Sequence, residues 1–245
     1  MRDDLGHEVI IPGPVRRVVS LVPSLTEAVA HVDRDLLVGC TDWCTRPADL
    51  PAERVRGTKN PDTKRIVALS PDLVVCNREE NRQLDVRRLR DAGVPVWVTV
   101  IEDVPSALAS MRRLFAEALA TGVPDWLLEC ERLWAGPVPA PTRSVAVPIW
   151  RDPWMVVGRD TFTGDLVARL GWRNVFADAA DRYPQTSVAD IEQRRPDVVV
   201  LPDEPYVFSA DDGPEAFTVP TELVEGRVLT WYGPSLLDAA RLRTD

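Results

Sequence analysis

One phrase occurs twice in this chain, and that repeat limits the possible folds more than any other feature. Residues 66–79 (IVALSPDLVVCNRE) and 191–204 (IEQRRPDVVVLPDE) share an opening Ile, a Pro-Asp pair, a run of branched apolar residues and a closing Glu, all in one register. Pro71 and Pro196 are expected to stop a short helix, because the residue before proline avoids the α region. The apolar run after each Asp reads as a buried parallel strand. Each strand then delivers its Glu to the loop beyond its C-terminal end, where open α/β sheets place ligand and partner contacts. Glu79 and Glu204 therefore hold equivalent places in two similar halves.

A chain of 245 residues has room for two such halves, each with its own core. The net charge of −9 argues against a nucleic-acid partner, since phosphates need a basic face. No apolar run reaches the length of a membrane span, and the start, MRDDLGH, has no apolar signal core. The expectation is a cytoplasmic protein that is not membrane-embedded, or an extracytoplasmic one whose leader was removed.

Along the chain, strands and helices alternate. Val9 to Ile11 reads as an edge strand, Arg16 to Val22 as the first firm strand, and Ser24 with Glu27 as a capping box for the next helix. Val104 to Ala120 and Asp125 to Trp134 carry helical periodicity. The proline-rich stretch from Gly136 to Thr142 is the best boundary. Val145 to Trp150 reads as one strand and Arg227 to Trp231 as the last, with Ser235 capping a final helix. The expected fold class is α/β: two Rossmann-like lobes, each a mostly parallel sheet with flanking helices, joined by a helical backbone. The expected bounds are 1–103 for the N-terminal lobe, 104–142 for the linking helices and linker, and 143–245 for the C-terminal lobe.

Eight tryptophans against five phenylalanines is an unusual balance. Trp43, Trp150, Trp154 and Trp231 fall in loops or at strand ends, with Arg151 between two of them and Tyr232 beside the last. Aromatic faces of this kind hold flat macrocycles well, although each such residue is equally suited to a core. Trp97, Trp126, Trp134 and Trp172 lie on regular elements and read as core. Pro23 and Ser24, where a strand meets a helix, could offer backbone N–H groups to a ligand or simply start the helix. His7 and His31 belong to no ligand set, so no metal site is expected. Cys40, Cys44, Cys76 and Cys130 read as structural thiols. There is no phosphate loop, HExxH motif or nucleophile elbow, and no catalytic residue is expected.

Five phrases carry a family likeness: Arg17–Glu27 (RVVSLVPSLTE), Arg65–Val75 (RIVALSPDLVV), Asp91–Val96 (DAGVPV), Pro196–Glu204 (PDVVVLPDE) and Leu229–Pro234 (LTWYGP). In this order, and spread over nearly the whole chain, they resemble the substrate-binding proteins of ABC-type importers for cobalamin, haem and iron-siderophores, and the cobalamin-binding branch above all. The resemblance implies a corrinoid bound in the cleft between lobes, no intrinsic cofactor and no chemistry performed. It also implies docking to a permease through Glu79 and Glu204, with Glu80 as a substitute for Glu79. Haem or an iron-siderophore is the alternative ligand, and an enzyme on the same scaffold is the alternative class. The chain departs from the family in lacking a signal sequence and in the shortness of the helix from Asp125 to Trp134.

Overall fold

The computed structural model describes residues 1–243. The chain divides into two compact units: Met1–Ile101, Ser106–Glu131 and Tyr232–Pro234 form the first, and Glu102–Pro105, Arg132–Trp231 and the residues from Ser235 onward form the second.

The first unit contains β1 (Val18–Ser20), α1 (Pro23–Asp33), β2 (Leu37–Cys40), β3 (Glu53–Arg54), α2 (Thr63–Ala68), β4 (Leu73–Asn77), α3 (Gln83–Asp91) and β5 (Val96–Thr99). The helix α4 (Val104–Arg113) continues into a π-turn at Leu114–Ala118, closed by Leu119 N–H donating to the Leu114 carbonyl, and α5 (Asp125–Trp134) comes after it. The sheet order is β3-β2-β1-β4-β5, every neighbour parallel. Its central strands β1 and β4 and the neighbouring β5 are buried throughout and mostly apolar, as a sheet covered on both sides requires, while the edge strand β3 is the charged pair Glu53–Arg54. Val19, Leu21, Val74, Cys76, Val96 and Val98 pack with Ile66 of α2 and with Val86 and Leu89 of α3.

The second unit contains β6 (Arg143–Ala146), β7 (Pro148–Trp150), β8 (Met155–Val156), α6 (Phe162–Arg169), β9 (Trp172–Asn174), α7 (Val188–Gln193), β10 (Val198–Pro202), β11 (Thr221–Val224), α8 (Gly226–Thr230) and α9 (Ser235–Ala239). The parallel sheet has the order β11-β10-β6-β9, and β7 and β8 make a separate antiparallel hairpin. Two mostly parallel α/β units are the expected fold class.

The repeat has a physical basis. Each copy is a short capped helix, a turn and a central strand. Asp62 Oδ1 accepts the Arg65 N–H at the start of α2, and Ser187 Oγ accepts the Asp190 N–H at the start of α7. Both helices end in a left-handed residue, Ser70 at φ 48° and Arg195 at φ 51°, immediately before the proline. Left-handed closure of the last turn, more than avoidance of the α region, is therefore what stops them. The Asp of each Pro-Asp pair then fixes the neighbouring strand. Asp72 Oδ2 accepts the N–H groups of Arg16 and Arg17 just ahead of β1, at 2.8 and 2.9 Å, and Asp197 Oδ2 accepts the N–H and hydroxyl of Ser144 in β6, at 2.6 and 2.7 Å.

Several expectations need correction. Arg227 to Trp231 is not a strand but lies mostly in α8, where the Thr230 hydroxyl donates to the Gly226 carbonyl. A short apolar run cannot separate the two by periodicity. Val145 to Trp150 is two strands, split at Val147. Ser24 is inside α1, whose first residue is Pro23, and makes no cap; the N-cap position is Val22. Ser235 is likewise inside α9 and donates to the Trp231 carbonyl. Val9 to Ile11 forms no strand. The start of the chain is instead tied down by acids: Arg90 donates to Asp3 Oδ2 at 2.7 Å, and Arg113 and the Val100 N–H donate to Asp4.

Candidate functional site

In the first unit, the C-terminal edge of the sheet carries a network of buried polar groups. Asn77 ends β4, where an apolar run meets its first amide. Its Oδ1 accepts the N–H groups of Glu79 and Glu80, and its Nδ2 donates to Thr99 at the end of β5. Asn81 Oδ1 accepts the Asn77 N–H, while its Nδ2 donates to the carbonyls of Leu21 and Thr58. Two asparagines four apart thus fix the turn that presents Glu79 and Glu80, a role the sequence reading missed.

The two glutamates differ in setting. Glu79 is exposed, and its carbonyl accepts from Lys59 Nζ at 2.5 Å. Glu80 is half-buried and its Oε1 accepts the Tyr232 hydroxyl at 3.0 Å. Burial pushes the Glu80 carboxyl up to about 7, a shift that the Tyr232 bond partly offsets. Burial and the adjoining Glu80 charge in turn raise Tyr232 well above the ordinary phenol range, while a hydrogen bond with Ser24 works the other way. Ser24 and Tyr232 are thus both buried, at 3% and 6% exposed, and belong to one chain of hydrogen bonds ending at Glu80. Pro23 has no N–H to offer. It fixes the first turn of α1, and the first helical N–H is that of Ser24. Trp43, on the loop after β2, is 65% exposed, with its indole edge against Gly57, where a Cβ would lie 3.1 Å from Nε1.

In the second unit, the corresponding edge carries aromatics. The β7–β8 hairpin holds Trp150, Arg151 and Trp154, and the loop after β10 brings Tyr206, Phe208 and Phe217 against them. Trp154 stacks on Phe208 at 5.8 Å and 9°, and meets Phe217 edge-on at 5.1 Å. Trp150 meets Tyr206 edge-on at 5.7 Å and is 44% exposed. These three partners from the loop are not among the residues that the sequence singles out. Arg151 lies 5.5 Å from the Trp154 ring centre, and its guanidinium donates to Asp212 and Glu215. Those two carboxylates already meet its charge, and the Arg151 hydrogen bond holds Glu215 below the usual carboxylate range. Tyr206 donates to the other oxygen of Asp212 at 2.7 Å.

Trp231 is buried, and its Nε1 donates to Glu204 Oε2 at 2.7 Å. Gly226 packs against the backbone of Glu204, where a Cβ would fall 2.6 Å from the Glu204 nitrogen. The Gly226 N–H donates to Asp203 at 2.6 Å. Glu204 is thereby held by an indole on one side and a bare backbone on the other. The same unit also has a cavity of roughly 720 Å³ lined by Glu102, Asp103, Arg159, Asp160, Asp165 and Arg182 among others. It contains no aromatic side chain and none of the candidate residues. Among the described residues no group of three or more His, Cys, Asp or Glu is placed to hold a metal, and no helix is long and apolar enough to cross a membrane.

No family model matches the chain. Curated relatives do: it is 26% identical over 239 residues to the vitamin B12-binding protein of Pectobacterium carotovorum subsp. carotovorum (strain PC1), covering 92% of this chain and 86% of that one. Among solved structures, the periplasmic vitamin B12-binding protein BtuF of Vibrio cholerae matches with a TM-score of 0.76 at 19% identity, covering 94% of this chain and 95% of that one. A periplasmic haem-binding protein from Pseudomonas aeruginosa matches with a TM-score of 0.78 at 21% identity, covering 94% and 91%. In sequence and in fold the chain is thus similar to this class of periplasmic binding proteins. Within that class, the curated relatives it resembles over most of its length bear the name vitamin B12-binding protein.

Proposed function

We propose that this chain is a non-catalytic binding protein for a corrinoid of the cobalamin type. The observation that carries the reading is the aromatic group on the β7–β8 hairpin, with Trp150 left open beside a packed base of Trp154, Tyr206, Phe208 and Phe217. An exposed indole on a rigid aromatic base binds a flat macrocycle at small entropic cost. In the first unit, the exposed Trp43 and the half-buried Pro23 at the start of α1 are the corresponding ligand surface, and the buried Ser24 braces Tyr232. Trp231 and Tyr232 support the reading in a different way from the open indoles: they hold Glu204 and Glu80 in place.

Histidine supplies one reason to prefer a corrinoid to haem. The only two are His7 and His31, both exposed. A corrinoid brings its own ligand field to its cobalt and needs mainly shape and apolar contact. Haem often takes an axial ligand from the protein. Haem and iron-siderophores are the second reading.

A permease is the natural partner of such a protein, with Glu79 or Glu80 and Glu204 as its contacts. Glu79 is the exposed one of the three. The extracytoplasmic setting of the relatives favours the same setting here over the cytoplasmic one. The test is titration of the purified chain with cobalamin, cobinamide and haemin, read by absorbance and thermal shift. Binding of a corrinoid without conversion is the expected result. Binding of haemin alone would replace the ligand assignment, and no response to any of the three would overturn the reading.

A further inference from the structure

Cys40 ends β2 and Cys44 lies one turn further on, where its N–H donates to the Thr41 carbonyl. Both thiols are free and buried, and each affects the titration of the other. Their surroundings are not those of inert core cysteines. Cys44 Sγ lies 3.0 Å from Thr26 Oγ1 and 3.1 Å from Thr41 Oγ1. Arg54 Nη1 donates to Cys40 Sγ at 3.1 Å and to the carbonyls of Thr41 and Cys44 at 2.9 Å each. Among the described residues this half-buried guanidinium makes no ion pair with a carboxylate, so the sulfur pair is the group that answers its charge. Burial alone would raise the Cys44 thiol, but hydrogen bonds from Cys40, Thr26 and Thr41 bring it down to about 7, while Cys40 is pushed up. Cys44 is therefore the first of the two to lose its proton. Cys76 and Cys130 offer the contrast, since burial pushes each up to about 12.

We propose that Cys40 and Cys44 are an oxidisable thiol pair that closes to an intramolecular disulfide in the folded protein, with hydroperoxide as the oxidant class. The Cys44 thiolate attacks a peroxide oxygen; the S–O bond forms as the O–O bond breaks, leaving a sulfenic acid and hydroxide. Hydroxide takes the Cys40 proton and leaves as water. The Cys40 thiolate then attacks Cys44 Sγ; the S–S bond forms, the S–O bond breaks, and the second hydroxide is protonated by solvent. Two thiols are oxidised and one peroxide is reduced to two waters. The threonines and Arg54 position the sulfurs and hold their charge, a setting that activates a thiol. Asp42 and Trp43, between the two cysteines, are exposed, and hydrogen peroxide is little larger than water. Oxidation of the pair needs no bound ligand.

The test treats the native full chain with hydrogen peroxide, quenches in acid, and counts thiols in denaturant. Two of the four should be lost, with the peptide spanning Cys40 and Cys44 lighter by two hydrogens and the far-ultraviolet circular dichroism unchanged. Cys40→Ser should stop the reaction at a sulfenic acid on Cys44 that dimedone traps, and Cys44→Ser should keep its thiols. Arg54→Gln should slow the reaction severalfold and move the pH midpoint of Cys44 alkylation upward, while Arg54→Lys stays near the parent on both. Four surviving thiols, loss mapped to Cys76 or Cys130, or a Cys44→Ser chain that oxidises at the parent rate would overturn the proposal.

Discussion

The two units use the same helix-turn-strand phrase and diverge in the segments attached to the far ends of β1 and β6. In the first, β1 runs through two residues into Pro23 and α1. In the second, β6 leads into the β7–β8 hairpin before α6 begins. The strand orders match once β6, β9, β10 and β11 are set against β1, β2, β4 and β5; only β3 lacks a counterpart. The shared part is held by the two aspartates, Asp72 and Asp197, which bind backbone at the entrance to the neighbouring strand. The divergent part carries the aromatic group. Scaffold and candidate ligand surface are thus separable: one is repeated, the other inserted.

The sharpest way to break this comparison is Gly226→Ala. In the second unit a Cβ there would meet Glu204 backbone at 2.6 Å, and the strained contact should cost about 2–4 kcal/mol in denaturant unfolding. Gly93, in an open turn of the first unit, serves as control: its Cβ would meet nothing within 4 Å, so Gly93→Ala should show only the smaller penalty of its positive φ. Equal losses would mean that Glu204 is not held as described.

Next come the hairpin indoles. Trp154→Ala removes a stacked and an edge-on partner and should cost about 2–3 kcal/mol of stability. Trp150→Ala should leave the unfolding midpoint nearly unchanged yet weaken corrinoid binding by about tenfold or more, in keeping with loss of an aromatic anchor. Unchanged affinity would remove the hairpin from the binding surface.

Glu80 tests the polar edge of the first unit. Its folded carboxyl holds a proton up to about 7, whereas the ordinary value is 4.5, so the native state binds more protons between those limits. Its contribution is fully present below about 4.5 and is lost as pH rises through about 7. The stability of the parent relative to Glu80→Gln should therefore fall across that window by on the order of 1–3 kcal/mol. A flat difference would show that Glu80 is ionised throughout. The smallest effects should be the most symmetric: Asp62→Ala and Ser187→Ala each remove one N-cap and should each cost about 1 kcal/mol.

Much of the scaffold was legible because strongly apolar runs between turn residues leave few alternatives. The strand after each Pro-Asp pair and the helix from Asp125 to Trp134 stand where their patterns put them. Trp172–Asn174 and Thr221–Val224 were not recognised as strands, since three or four residues of mixed character carry no period to detect. The helix at Gly226–Thr230 reads like a strand in isolation, and only its first residue, Gly226, packs closely on Glu204. The candidate site was legible only in part. Trp150, Trp154 and Arg151 are close in sequence and stood out together, but Tyr206, Phe208 and Phe217 join them through a loop closure that no local pattern encodes. The same holds for Tyr232 and Glu80, which are 152 positions apart and meet through a single hydroxyl.

The carboxylate beneath each middle strand has a consequence for how such a protein can change. Because Asp72 and Asp197 set the depth at which β1 and β6 enter their sheets, the far ends of those strands emerge at a fixed height whatever is attached above them. New ligands can then be accommodated by rewriting the upper loops alone, with no adjustment below.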